Sequence, residues 1–234
     1  MPRVITPAVI ADFRNHLCEV AAELFVELGH DGFNMRELAK RLRVSPMTAY
    51  RYFKNKDDIL AALRTRAFAR FADRLEIAHK MSNSPEDKND VMGRAFVQFA
   101  LEEPASYRLM FDLFQSSAHT PPELAQQESR AHAAMTEHAR YLVREGIFAG
   151  EPELIGQVLW SALHGVAALR MAGKLSDTDF DRVLSETLRA LANAFRGGFT
   201  RQTSPAGQWR TLKMHESPTL TSNYTGMAVL SAAE

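Results

Sequence analysis

Seven basic residues, Arg36, Lys40, Arg41, Arg43, Arg51, Lys54 and Lys56, fall in a stretch that holds a single acid, Glu37. Guanidinium and ammonium groups at this density attract phosphate, and arginine can also read a base edge through paired donors. The run from Pro46 to Phe53 adds Met47, Thr48 and Tyr52 to Arg51, a mixture suited to base edges and backbone phosphates alike. A basic cluster alone is equally an ordinary solvated face. The punctuation around it is more specific. Asn34 and Glu37 have capping-box spacing, and Ser45-Pro46 sets an N-cap residue before a proline at the first helical position. Two short capped helices joined by a few residues have the shape of a helix-turn-helix, whose second helix enters a major groove.

The elements that position this pair are helical. Apolar residues recur at three- and four-residue steps between the prolines and glycines, strand-like alternation is scarce, and no Asn-Gly or Asp-Gly hairpin signal occurs. The chain therefore reads as all-α. A first helix is expected over about 7–28, stopped by Gly29 and Gly32, then short helices from Met35 to Leu42 and from Pro46 to Phe53. Acids in its first turn open a longer helix from Asp57 to about His79. Met81–Asn89 is polar and reads as a break. Helices are expected beyond it at about 89–103, 105–115, 121–146, 152–172 and 177–196. Residues 197–234 lack helical periodicity and are expected to be a flexible tail. The divisions that follow are 1–56 for the helix-turn-helix domain, 57–80 for a connecting helix, 81–196 for a second helical domain, and the tail.

Whole-chain chemistry narrows the classes further. The net charge of zero conceals +3 across residues 1–66 and −4 across 67–196, a basic unit joined to an acidic one. Neutrality excludes indiscriminate coating of DNA and leaves room for a local grip. One cysteine rules out a disulfide framework, which fits a reducing, cytoplasmic setting, and Cys18 reads as a buried structural thiol. No run approaches about 18 consecutive apolar residues, so no membrane span is expected, and the N-terminus lacks a signal-peptide pattern. GxSxG, P-loop, GxGxxG and HExxH motifs are all missing, so no enzyme chemistry and no cofactor are expected. Glu128 and His132 share a helix face and offer half a metal site, which without further ligands reads as a surface pair.

The segment Phe25-Val-Glu-Leu-Gly29, then Phe33 through Leu60 with its Tyr50-x-Tyr52-Phe53-x-Asn55-Lys56 end, resembles the DNA-binding domain of TetR-family repressors. The resemblance spans about 50 residues and implies a double-stranded DNA operator as partner. It places Arg36, Pro46, Met47, Thr48 and Arg51 against bases or adjacent phosphates, with Ser45 beside them, and Tyr50, Tyr52 and Lys56 on the phosphate backbone. Ala39, Leu42, Val44 and Phe53 correspond to the motif's internal packing. One departure is Arg43, at the turn position the family usually gives to glycine. A left-handed conformation there costs roughly 1 kcal/mol.

The second half resembles the Trp-His-Gly variant of the family's C-terminal region through Trp160, His164, Gly165 and Gly173, and through Glu103-Pro104 to Met110-Phe111. Trp160, His164 and Met171 are spaced to share one helix face. With Phe96, Phe99, Tyr107, Met110, Phe111, Phe114 and Met135 they could line an apolar cavity with a few polar handles, or simply fill a core. The resemblance favours a cavity for a small-molecule effector. It also implies a homodimer through 152–172 and 177–196, with Gly156 and Gly165 permitting close helix approach. A ligand-released repressor on a palindromic operator is the leading reading. The alternative is a helical interaction protein that keeps the fold without specific DNA recognition.

Overall fold

The computed structural model describes residues 6–81, 84–111 and 120–196. Among the described residues all regular structure is helical: α1 (Pro7–Gly32), α2 (Met35–Arg41), α3 (Pro46–Tyr50), α4 (Lys56–Met81), α5 (Pro85–Glu102), α6 (Pro104–Met110), α7 (Pro122–Arg144), α8 (Pro152–Met171) and α9 (Asp177–Arg196). The all-α expectation holds. Phe114 and the segment 197–234 lie outside the described residues.

Local signals account for most helix ends. Thr6 caps α1, which kinks at Gly29 (φ 69°, ψ −176°) and closes with Phe33 N–H donating to the Gly29 carbonyl at 3.2 Å. Asn34 Oδ1 accepts from the N–H groups of Arg36 and Glu37, both at 3.1 Å. Ser45 Oγ accepts from Thr48 N–H at 3.2 Å, with Pro46 behind it where the lost donor costs nothing. At the start of α4, Asn55 Oδ1 accepts from Asp58 N–H (2.9 Å) while Asp58 Oδ2 accepts from Lys54 N–H (3.0 Å), a reciprocal cap.

Three boundaries differ from the sequence reading. The helix from Pro46 ends at Tyr50, and 51–53 finish as tight turns in which Tyr52 and Phe53 N–H both reach the Ala49 carbonyl at 3.1 Å. The helix read over 105–115 ends at Met110. The polar stretch taken as a break to Asn89 is helical from Pro85, capped by Ser84 Oγ accepting from Asp87 N–H at 3.4 Å. Ser84-Pro85 is the same start signal as Ser45-Pro46. Its polar residues go inside because they find partners there: the Lys88 ammonium sits 4.2 Å from the Tyr141 ring centroid, and Asn89 accepts from His138.

Two buried clusters organise the chain. The N-terminal one gathers Leu17, Ala21 and Leu24 of α1, Leu38 and Ala39 of α2, Ala49 of α3, Phe53, and Ile59 and Leu63 of α4. Leu109 of α6 joins it from far along the sequence. Cys18 is buried here, and desolvation pushes its thiol up. The larger cluster joins α4 through α9 around Phe71, Leu75, Phe96, Phe99, Met135 and Leu163. Helix α4 belongs to both. Ion pairs fasten it to its neighbours: Arg70 donates to Glu103 (2.9 and 2.7 Å), Arg130 holds Glu76 and Asp73, and Arg64 donates to Glu128 at 2.6 Å.

By length and composition helix α8 is apolar enough to cross a membrane, a test that the core helix of a bundle also passes. Its buried side, with Ile155, Leu159 and Leu163, packs on α5, α7 and α9, while Leu154 and Leu169 remain about half exposed. Gly156, read as easing approach to a second subunit, instead admits α7: a Cβ there would lie 3.3 Å from Thr136 Cα. Gly165 faces open space, with nothing within 4 Å of an added Cβ.

Candidate nucleic-acid interface and cavity

The helix pair hinges on Arg43. Its φ is +55°, the left-handed value that the missing glycine raised as a question. Arg43 N–H donates to the Lys40 carbonyl and Val44 N–H to the Ala39 carbonyl (3.1 and 3.0 Å), the two bonds of a Schellman stop. Gly173 ends α8 with the same two bonds and φ +67°. The arginine thus occupies a conformation for which the chain elsewhere uses glycine, and its side chain is exposed.

Beyond that turn, α3 buries Ala49 and turns Pro46, Met47 and Tyr50 outward, with Arg51 exposed just after it. Met47 is 71% exposed, an unusual position for a thioether with no packing duty. Thr48 is half-buried and its hydroxyl lies 2.9 Å from Ser45 Oγ, so both hydroxyls serve the cap. Tyr52 is also half-buried, its ring 4.9 Å from Phe13 of α1, which leaves only its phenol end available outside. Lys56 opens α4, half-buried. Two basic residues in the stretch are committed: Arg41 to Glu27, and Lys40 to Glu37 at 3.6 Å. Arg36, Arg43, Arg51 and Lys54 make no ion pair among the described residues.

The second group of expected residues divides. Phe111 and Trp160 line a cavity of about 430 Å³ together with Phe68 of α4 and Glu128, Ser129 and His132 of α7. Phe96, Phe99, Tyr107, Met110 and Met135 do not line it. They are buried behind it, with Phe71 and Phe96 meeting Trp160 edge-on, each at 5.6 Å between centroids. His164 stands to one side, its ring 4.6 Å from Phe111 and its Nδ1 2.8 Å from the Tyr107 hydroxyl. Burial pushes the phenol up and the imidazole down, so this is a neutral phenol–imidazole hydrogen bond.

Sequence reasoning had passed over Phe68 and Ser129 and weighed Glu128 and His132 only as a metal half-site. No group of three or more metal-ligating side chains exists among the described residues. Glu128 instead pairs with Arg64 of α4, and His132 lies 6.3 Å from Trp160, ring to ring. Their i,i+4 spacing was the available signal, and it marks a cavity wall.

An exposed cationic helix pair on its own small core, ahead of a larger helical bundle with a cavity, defines a helix-turn-helix DNA-binding architecture. The chain belongs to the TetR family: residues 17–63 match "Bacterial regulatory proteins, tetR family", and residues 90–206 match "Tetracyclin repressor-like, C-terminal domain". It is 25% identical over 109 residues to the HTH-type transcriptional regulator Rv1816 of Mycobacterium tuberculosis, covering 46% of this chain and 47% of that protein. It is 27% identical over 124 residues to the HTH-type transcriptional activator FasR of Mycolicibacterium smegmatis, covering 53% and 55%. The chain thus spans about half the length of these curated relatives. Among solved structures, a protein of unknown function from Rhodococcus sp. RHA1 superposes with a TM-score of 0.67 at 24% identity, covering 78% of this chain and 95% of that one. The fatty acid degradation regulator FadR of Bacillus halodurans gives 0.65 at 18% identity, covering 78% and 96%. These likenesses establish the fold.

Proposed function

We propose that the chain is a sequence-specific DNA-binding transcriptional regulator, a homodimeric repressor released from a palindromic operator by a small apolar or amphipathic ligand. The observation that carries this is the outward set Arg36, Arg43, Met47 and Arg51 on a capped helix pair whose single acid, Glu37, is paired with Lys40. Arg36 and Arg51 are the candidates for base edges, and Tyr50, Lys56 and the Tyr52 hydroxyl for phosphates. Pro46, Thr48 and Ser45 shape the approach.

The cavity supplies the second half of the reading. Helix α6 carries Tyr107, held by His164, then Leu109 in the N-terminal core, then Met110 in the larger one. Phe111 follows directly and lines the cavity. A ligand that shifts Phe111 therefore has a two-residue path to the core beneath the DNA-facing helices. Such a ligand works by binding one arrangement of that core better than the other.

The dimer is supported by a stripe on α8 that the fold leaves open: Leu154, Ser161, Gly165, Ala168 and Leu169 recur at helical spacing and are small or apolar. Two-fold pairing there presents two copies of α3 to successive major grooves.

The test is a gel shift on the DNA upstream of the chain's own gene at two salt concentrations. Retention above random DNA, falling steeply with salt, is the expected result. Equal retention of any sequence removes the reading.

A further inference from the structure

The described wall of the cavity carries one carboxylate, and that group selects among ligands. Three of its six lining residues are aromatic: Phe68, Phe111 and Trp160. Phe111 meets the other two edge-on, at 6.3 and 6.2 Å between centroids. The remaining three are Glu128, Ser129 and His132, so among the described residues the lining includes a carboxylate and no lysine or arginine. The guanidinium groups nearby are already engaged. Arg130 is held by Glu76 and Asp73, and Arg64 donates to Glu128 itself.

We infer that this cavity takes a flat, apolar organic cation, its ring body against Phe68, Phe111 and Trp160 and its ammonium at Glu128. The inference rests on the reading of the cavity as the effector site and adds the class of effector. Aromatic faces attract cations through the ring quadrupole. Arg64 Nη2 donates to Oε1 of Glu128, and a carboxylate accepts at about four lone-pair positions, so an ammonium joins the pair without displacing the guanidinium. The Ser129 hydroxyl offers a further acceptor. An anionic ligand of the same shape meets the same carboxylate, and the guanidinium beside it, Arg64, already donates to that carboxylate.

Calorimetric titration of the full chain with three probes of one shape decides this: 1-naphthylmethylammonium, 1-naphthylmethanol and 1-naphthoate. The cation should bind at least about tenfold more tightly than the alcohol, with the naphthoate weakest. Glu128→Gln should erase the cation's advantage while leaving the alcohol's affinity in place, and Phe111→Ala should weaken all three. Should Glu128→Gln fail to fold, the ranking on the unaltered chain still decides. Naphthoate binding as tightly as the ammonium overturns the inference, as does a cation preference that survives in Glu128→Gln.

Repeating the titration with operator DNA present separates this inference from the functional reading beneath it. The expected ranking with unchanged DNA affinity upholds the cation site and sinks the effector role. Naphthoate preferred, with DNA affinity lowered, upholds the effector role and overturns the cation. If none of the three binds, both fall.

Discussion

The DNA-facing unit and the cavity are built in opposite ways. Every side chain proposed to meet DNA lies between Arg36 and Lys56, held by caps whose donors and acceptors are two to four residues apart. The cavity draws Phe68, Phe111, Glu128 and Trp160 from four separate stretches of the chain. One site is written in local grammar. The other exists only once α4, α7 and α8 have packed. A change in the first region should therefore act on DNA binding with little effect on the bundle, and a change between helices of the second should reach further.

The largest expected effect tests whether two copies of the local unit must act together. Gly165→Arg places a charged side chain in the open space on α8 without touching the subunit's own core. Sedimentation should show a monomer, and operator affinity should fall by about 10²–10⁴-fold as the two half-sites lose their linkage. A dimer that persists with full affinity moves the interface elsewhere.

Next comes the readout itself. Arg51→Ala should cost about 1–3 kcal/mol of operator binding and relax sequence preference, with thermal stability unchanged. An equal loss on all sequences assigns Arg51 to a phosphate.

The bundle should answer to acid. His138 is 1% exposed; its Nε2–H donates to Asn89 Oδ1 at 3.3 Å and its Nδ1 has no partner. Burial, then the neighbouring His79 and Lys88, hold it down to about 3, and His79 is lowered for the same first reason. A neutral histidine in the fold that charges readily when unfolded gives stability that is complete above about pH 6.5 and drains as pH falls toward the folded value. The loss approaches about 1.4 kcal/mol per pH unit for His138. Melting of the full chain between neutral pH and about pH 5 should show it, and His138→Gln should reduce the slope by about one proton. A flat profile means the site is hydrated and free to protonate.

The smallest effect lies in the turn. Arg43→Gly should raise stability by about 0.5–1 kcal/mol through relief of the left-handed arginine. If Arg43 also holds a phosphate, operator binding weakens at the same time and its salt slope falls by about 1. Stability and affinity moving in opposite directions is the signature.

How much of this could be read from residues alone follows from the same contrast. Asn34, Ser45 and Asn55 announce helix starts in the sequence because a cap needs only its own next turn, and the left-handed Arg43 could be raised as a question from its place after Leu42. Met47 and Arg51 fall outward once Ala49 is inward. In the second half, the aromatic richness was legible and its division was not. Phe96 and Phe99 differ from Phe111 only in what α4 and α8 place over them. Phe68 reads as one more apolar position on α4, and nothing local shows that Glu128 will find Arg64 across 64 residues. Lys88 and Asn89 read as part of a break because burying them requires Tyr141 and His138, which the chain supplies some 50 residues later. Ser84-Pro85 is the exception. That signal was local and present, and it was outweighed by the polarity of its neighbours.

The central claim is that two copies of the α2–α3 unit read one symmetric DNA site. Selection of fragments from a random DNA pool by the purified chain, followed by sequencing, tests it directly. The account predicts a two-fold symmetric sequence with half-site centres about one helical turn apart, enriched by the unaltered chain and more weakly, with relaxed preference, by Arg51→Ala. A pool that emerges with no enriched sequence, or with a single unpaired half-site, contradicts it.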